Sequence, residues 1–308
     1  MKYSIRNFIL VFILSLVIFI AAAFYCINYI EGFLDDMFGN ETEQKTTAQT
    51  VTGPETGNGP DITEDPEEKK DAISFLVIGR DDAHDSADTI MLIKIDKIKK
   101  TVLITSVPTD SKLFIDGVYK KLGGTIRTHS AAFIASKVTA ITGIRINYTV
   151  LVSMEGFMNI VDAAGGIDYY VPQDMKYSDP VQDLVIDLKR GNAHLDGKAA
   201  LDMLRFVDYT TLDISRTALQ RRFMVEVFKK FLQPGNITKL PSYADMFYEN
   251  AETDFSYPAL LANSDLIFSL SDYTVSNITF PGTTEIEDGL YYFIPDVDRA
   301  MIIFEPYR

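Results

Sequence analysis

Residues 8–30 read FILVFILSLVIFIAAAFYCINYI, 23 in succession without a formally charged side chain, and no other feature restricts the chain so severely. A helix of that length rises far enough to cross the roughly 30 Å hydrocarbon core of a bilayer. Lys2 and Arg6 precede the run, whereas Glu31, Asp35 and Asp36 follow it. The positive-inside rule therefore predicts a cytoplasmic tail over residues 1–7, a transmembrane anchor over 8–30 and an extracellular remainder, in a single-pass protein of the cell membrane. The competing reading is a cleaved secretory signal ending near the three alanines at 21–23. The apolar run continues past them, which favours an uncleaved signal-anchor.

Residues 31–71 hold 3 basic and 12 acidic side chains among Thr, Gly and Pro. From residue 41 onward there is almost nothing large and apolar to bury, so this part is expected to form a flexible stalk. Residues 72–308 form the remaining domain, with 24 basic and 31 acidic residues. A net charge of −14 over the whole chain argues against a nucleic-acid partner, which requires a basic face. The single cysteine, Cys26, lies inside the apolar run and rules out an intrachain disulfide or a cysteine-based metal cluster.

Past the stalk the pattern turns to short β-rich runs. Residues 73–79, 88–96 and 101–107 read as three strands. The first is almost continuously apolar and so predicted to be central, and the tight 97–100 connection makes a hairpin of the other two. Residues 126–142 and 154–164 have helical spacing, 147–153 and 167–171 read as strands, 243–250 and 257–271 as helices, 275–280 and 291–294 as strands, and 295–304 as a closing helix. This interleaving predicts an α/β (α+β) fold, a three-layer α-β-α sandwich around a mixed central sheet.

Two places could carry chemistry. In residues 197–223, GKAALDMLRFVDYTTLDISRTALQRRF, Asp196 caps a helix that ends at Arg205. A second helix follows, with Ile214, Ala218, Val225 and Phe228 predicted as its inward stripe. Arg216 and Gln220 are four apart and share a face near its start, an arrangement suited to a phosphate and equally to ordinary surface pairing. The second place is the loop after the first strand, where Asp81, Asp82, Asp85 and Asp88 crowd together. Carboxylates there suit magnesium bound jointly with a substrate phosphate, and they also suit plain turn chemistry. The segment KKLGGT, with Lys120, Lys121, Gly123 and Gly124, reads as a turn or as a phosphate contact. His84, His129 and His194 have no metal-ligand spacing, and neither a Walker loop nor a nucleophile elbow is present.

The pieces FLVIGRDD…ADTIMLIKID, VPTD, NYTVLVSMEGFMNIVDAAGGIDYYVP and HLDGKAALDMLRF followed by DISRTALQRRF resemble, in order and spacing, the LytR-CpsA-Psr family of membrane-anchored phosphotransferases of cell-wall glycopolymers. The resemblance runs over nearly all of residues 73–304. It implies transfer of a polyprenyl pyrophosphate-linked anionic glycopolymer, such as teichoic acid or capsule, to peptidoglycan through a phosphodiester. It further implies magnesium held by Asp81 and Asp88, pyrophosphate contacts from Arg205, Arg216 and Gln220, and a catalytic set of Asp88, Arg205 and Arg216, with Asp88 as the candidate proton acceptor. Asp110 and Asp213 match acidic positions of the same motifs. The chain departs from the pattern at Ser86, Thr109, Val207 and Leu219, where the family usually carries arginine. Those losses imply an alternative: an envelope protein that binds the lipid-linked glycan or a wall-assembly partner without turnover.

Overall fold

The computed structural model describes residues 71–308 except 180–183, 207–211, 232, 234–235 and 237–238. The expected tail, the anchor over 8–30 and all but the last residue of the stalk lie outside the described residues. Among the described residues no helix is long and apolar enough to cross a membrane.

The strands are β1 (Ala72–Asp81), β2 (Ser86–Asp96), β3 (Thr101–Ser106), β4 (Lys112–Ile115), β5 (Val118–Lys121), β6 (Tyr148–Ser153), β7 (Ile167–Val171), β8 (Met175–Asp179), β9 (Leu184–Leu188), β10 (Gly191–Leu195), β11 (Ala251–Thr253), β12 (Thr274–Thr279), β13 (Gly282–Glu287) and β14 (Leu290–Pro295). The helices are α1 (Ala131–Thr142), α2 (Met154–Ala163), α3 (Gly197–Arg205), α4 (Leu212–Phe231), α5 (Leu240–Asn250), α6 (Tyr257–Ala262), α7 (Ser264–Ser269) and α8 (Val297–Ile303). Six strands form a mixed sheet in the order β11-β6-β1-β2-β3-β12, so the first strand is central as its apolar run predicts. It pairs antiparallel with β2 and parallel with β6.

Alternation along the central strands sends two apolar sets to opposite faces. Leu76, Ile78, Ile90, Leu92 and Leu103 meet Ile134, Val138 and Ile141 of α1 and Ala300 of α8 on one face. Ile73, Met91, Ile93, Val102 and Ile104 meet Leu266 of α7 and the partly buried Met224, Val225 and Phe228 of α4 on the other. The result is a mixed α/β fold with helices against both faces of its central sheet. A separate cluster joins Leu219, Phe223 and Val227 of α4 to Ala200 and Met203 of α3, Val161 of α2 and the strands β7 to β10. Thus α4 is apolar on two sides. Val225 and Phe228 pack inward as expected, while Leu219 and Phe223 belong to a second stripe that the single-face reading missed.

Several boundaries differ from expectation. The helix expected from 126 begins at Ala131, because Ser130 caps it by accepting a hydrogen bond from Phe133 N, and a 3-10 turn, Gly123–Arg127, precedes it. The expected 257–271 helix divides between α6 and α7 at Asn263.

The close approach of α3 to α2 fixes where Arg205 ends up. Gly197 N donates to Asp162 Oδ1 at 2.7 Å, and a Cβ on Gly197 would collide with the Met158 carbonyl. Gly197→Ala is therefore expected to destabilise the fold by about 1–3 kcal/mol, measured by urea unfolding of the full-length chain. A change within experimental error of zero would show that α3 shifts freely.

Candidate anion-binding cleft between the central sheet and α4

Asp81 and Asp88 lie at the β1–β2 end of the sheet, where the ladder is irregular. Gly79 pairs with Thr89 and Arg80 with Ala87, so Asp88 is left without a partner in a β-bulge. A bulge bends its strand and re-aims the extra side chain, and Asp88 lines a small open cleft with Ser106, Thr109, Arg216, Thr217 and Gln220. The bulge is held from outside by the 3-10 turn. Gly123 N donates to Thr109 O at 2.7 Å, and a Cβ there would lie 2.8 Å from both Ala87 O and Thr109 Cβ. Of the two glycines that read as a turn or a phosphate contact, Gly123 makes a close backbone contact that seats the bulge, while the space around Gly124 is open.

Asp81 is 6% exposed. Its Oδ1 accepts from Ala83 N at 2.9 Å and His84 N at 3.3 Å, and its Oδ2 meets His84 Nδ1 at 2.6 Å. Burial opposes its ionisation, but these hydrogen bonds outweigh burial and hold its carboxyl below the ordinary range. Asp88 moves the other way. Burial, then the negative charge of Asp81, push its carboxyl up, against the opposing fields of Arg216, Arg205 and His84. Arg216, in the first turns of α4, lines the same cleft as Asp88, and Arg205, at the end of α3, is close enough for its charge to act there. Gln220 is 9% exposed, and its Nε2 donates to Leu204 O at 3.5 Å, a long contact between α4 and the last turn of α3.

The structure thus brings together Asp81, Asp88, Arg205, Arg216 and Gln220, all proposed from sequence. Asp110 points elsewhere and pairs with Lys121 at 3.0 Å. The side chain of Asp213, the inward position assigned to Ile214 and the whole of Val207 lie outside the described residues. Leu219 is 6% exposed within the cluster between α3 and α4, so the departure from arginine there fills a core site. Ser106 and Thr217 escaped the sequence reading. Their only signals were their places after an apolar strand and beside an arginine.

Two carboxylates beside a cleft that also holds an arginine fit magnesium, which takes one or two protein carboxylates and fills its remaining positions with phosphate oxygens and water. Among the described residues no group of three or more His, Cys, Asp or Glu side chains gathers to hold a metal without such help. The arrangement can place an anion between a carboxylate-bound cation on one side and two guanidinium groups and an amide on the other.

The LytR_cpsA_psr family profile matches residues 37–305, and the chain belongs to this family. The polyisoprenyl-teichoic acid–peptidoglycan teichoic acid transferase TagU of Bacillus cereus is 27% identical over 75% of this chain and 77% of its own length. TagV of Bacillus subtilis, named for the same activity, is 26% identical over 74% of this chain and 62% of its own. An uncharacterized Staphylococcus aureus protein is 26% identical over 76% of this chain, which spans 60% of that protein. Among solved structures, Bacillus subtilis TagV superposes with a TM-score of 0.67 at 23% identity, over 77% of this chain and 97% of that one. A structure of TagT bound to LI-WTA gives 0.64 at 20% identity, over 80% and 92%. These likenesses show the fold.

The raised proton affinity of Asp88 has a stability consequence. A group whose folded pKa exceeds its unfolded one favours the native state at low pH, and that contribution is lost as pH rises through the folded pKa. At neutral pH the ionised carboxylate therefore burdens the fold. In EDTA at pH 7, Asp88→Asn is expected to raise Tm, and the gain should vanish once pH falls below the carboxylate range. A lower Tm at both pH values would contradict the environment assigned to Asp88.

Proposed function

We propose that the protein transfers a polyprenyl pyrophosphate-linked anionic glycopolymer to peptidoglycan through a phosphodiester bond. Membership of the family and the names of the teichoic acid transferase relatives support this reading. The observation that carries it is the shared cleft of the bulged Asp88, Arg216 and Gln220, with Arg205 near enough for its charge to act on Asp88. In this reading residues 8–30 anchor the chain in the cell membrane, and the domain works on its outer side, where lipid-linked polymer and wall meet.

The reaction joins an acceptor hydroxyl oxygen of peptidoglycan to the phosphorus nearest the glycan. The bond from that phosphorus to the bridging oxygen breaks, and polyprenyl phosphate leaves with the electron pair. Arg205 and Arg216 hold phosphate oxygens by charge-assisted hydrogen bonds and stabilise the charge that develops on departure. Gln220 ties α4 to α3 and so keeps the two arginines in register. Asp88 accepts the proton of the attacking hydroxyl. Magnesium, when bound by Asp81 and Asp88, supplies further neutralisation of the phosphates.

The burial of Leu219 favours a second reading, in which the cleft binds the lipid-linked glycan without turning it over. One assay separates the two. Full-length protein is supplied with polyprenyl pyrophosphate-linked teichoic acid, peptidoglycan and magnesium, and wall-attached polymer is measured. Transfer is expected, with Asp88→Ala and Arg216→Ala each slowing it about 100-fold or more and EDTA lowering it in the wild type. Product equal to that of the Asp88→Ala variant would overturn transfer, and retained ligand without product would establish the binding role.

A further inference from the structure

On α4, one residue beyond Gln220, Arg221 is 3% exposed. Helical spacing puts it in a row with Thr217, Met224 and Phe228. Thr217 lines the cleft, whereas Met224 and Phe228 pack against the sheet, so Arg221 stands where the cleft gives way to core. Its Nη2 donates to Thr279 Oγ1 at 3.3 Å. Its Nε and Nη1 are buried and have no partner among the described residues. Burial, then Arg222, lower its proton affinity, and no carboxylate field opposes them. An arginine nonetheless stays charged in a protein, and a buried charge without a counter-ion is costly.

The surroundings repeat the deficit. Thr279 is the strand partner of Ser106, and Ser106 Oγ is also buried without a partner among the described residues, while its residue lines the cleft. Unused donors on α4 and β3 are therefore buried between helix and sheet, where Ser106 reaches the cleft and Arg221 lies one helical turn behind the cleft-lining Thr217, so that a ligand oxygen reaches the guanidinium only by displacing its cover. The other arginines near this end of the domain are already engaged or turned away. Arg80 pairs with Asp82, Arg127 Nη2 donates to His84 O at 2.9 Å, and Arg222 is exposed with its Nε on Ala218 O.

We infer that Arg221, with Ser106 and Thr279, forms an additional oxyanion subsite that receives a phosphoryl oxygen of the pyrophosphate-linked substrate. This rests on the reading of the cleft as a pyrophosphate site. It also accounts for Leu219. Residues two apart on a helix point about 200° from one another, so a guanidinium at 221 delivers charge from the sheet side of α4 while position 219 serves the opposite cluster. The subsite sets how the pyrophosphate lies in the cleft, and it makes this chain read the phosphates partly from below.

The test measures binding of geranylgeranyl pyrophosphate with magnesium to the full-length chain by calorimetry, together with Tm without ligand. Arg221→Met is expected to raise the ligand-free Tm by removing an unpaired buried charge, and to weaken binding about 10- to 100-fold. Thr279→Val keeps the charge but frees the guanidinium, and should weaken binding in the same direction by less; it decides the matter if Arg221→Met does not fold. Binding by Arg221→Met within two-fold of wild type, while Arg216→Ala loses it, overturns the subsite and leaves the proposed function standing. Loss in Arg221→Met with Arg216→Ala unaffected keeps the subsite and removes Arg216 from the site. A wild-type chain that does not bind the probe overturns both.

Discussion

The cleft exists because α4 is buried on two sides at once. Leu219, Phe223 and Val227 lock it to α3 and the outer strands, and Met224, Val225 and Phe228 lock it to the central sheet. Each fully buried side chain of the first set contributes about 1.5–3 kcal/mol and the partly buried ones of the second set less, so neither attachment gives way easily. A helix clamped between two clusters cannot rotate to satisfy its polar groups. Its N-terminal turns must carry Arg216 and Gln220 toward the sheet end, and Arg221 must accept burial. The sheet answers with a bulge that turns Asp88 out of the ladder toward them. Opposite charges thus meet because apolar packing on either side of the cleft leaves them no other orientation.

That arrangement works against stability in a way that suits chemistry. Asp88 is pushed toward its protonated form by burial and by Asp81, and Arg221 is held charged without a counter-ion. Groups in such states gain most from a ligand that supplies the missing partner: a cation for the carboxylates, a phosphate for the guanidinium groups. Local cost in the free protein becomes differential affinity for an anionic, metal-associated substrate.

Much of the fold could be read from the chain, and what could not has identifiable causes. The central strands announced themselves because both faces are buried, which makes β1 and β2 near-continuous apolar runs. The β4–β5 hairpin and β13 did not, because Phe114, Tyr119 and Ile286 are exposed and their alternation tracks no core. Among site residues, Arg205, Arg216 and Gln220 were visible through residue type and spacing, whereas Asp81 and Asp88 stood out from Asp82 and Asp85 only through the family resemblance. The bulge that selects Asp88 is a property of strand register, and register is decided by pairing. Likewise nothing in the string RTALQRRF distinguishes the exposed Arg222 from the buried Arg221. That distinction arises only when Thr279, 58 residues away, closes over one of them.

The central claim is that the carboxylate of the β2 bulge and the cation of α4 share one cleft and feel each other's charge. A double-mutant cycle tests it directly: the stabilities of Asp88→Asn, Arg216→Gln and the double variant are compared with the wild type by urea unfolding at pH 7 without divalent metal. A coupling of about 0.5 kcal/mol or more is expected, the value for side chains that interact. Additivity within about 0.3 kcal/mol, the behaviour of independent sites, would contradict it.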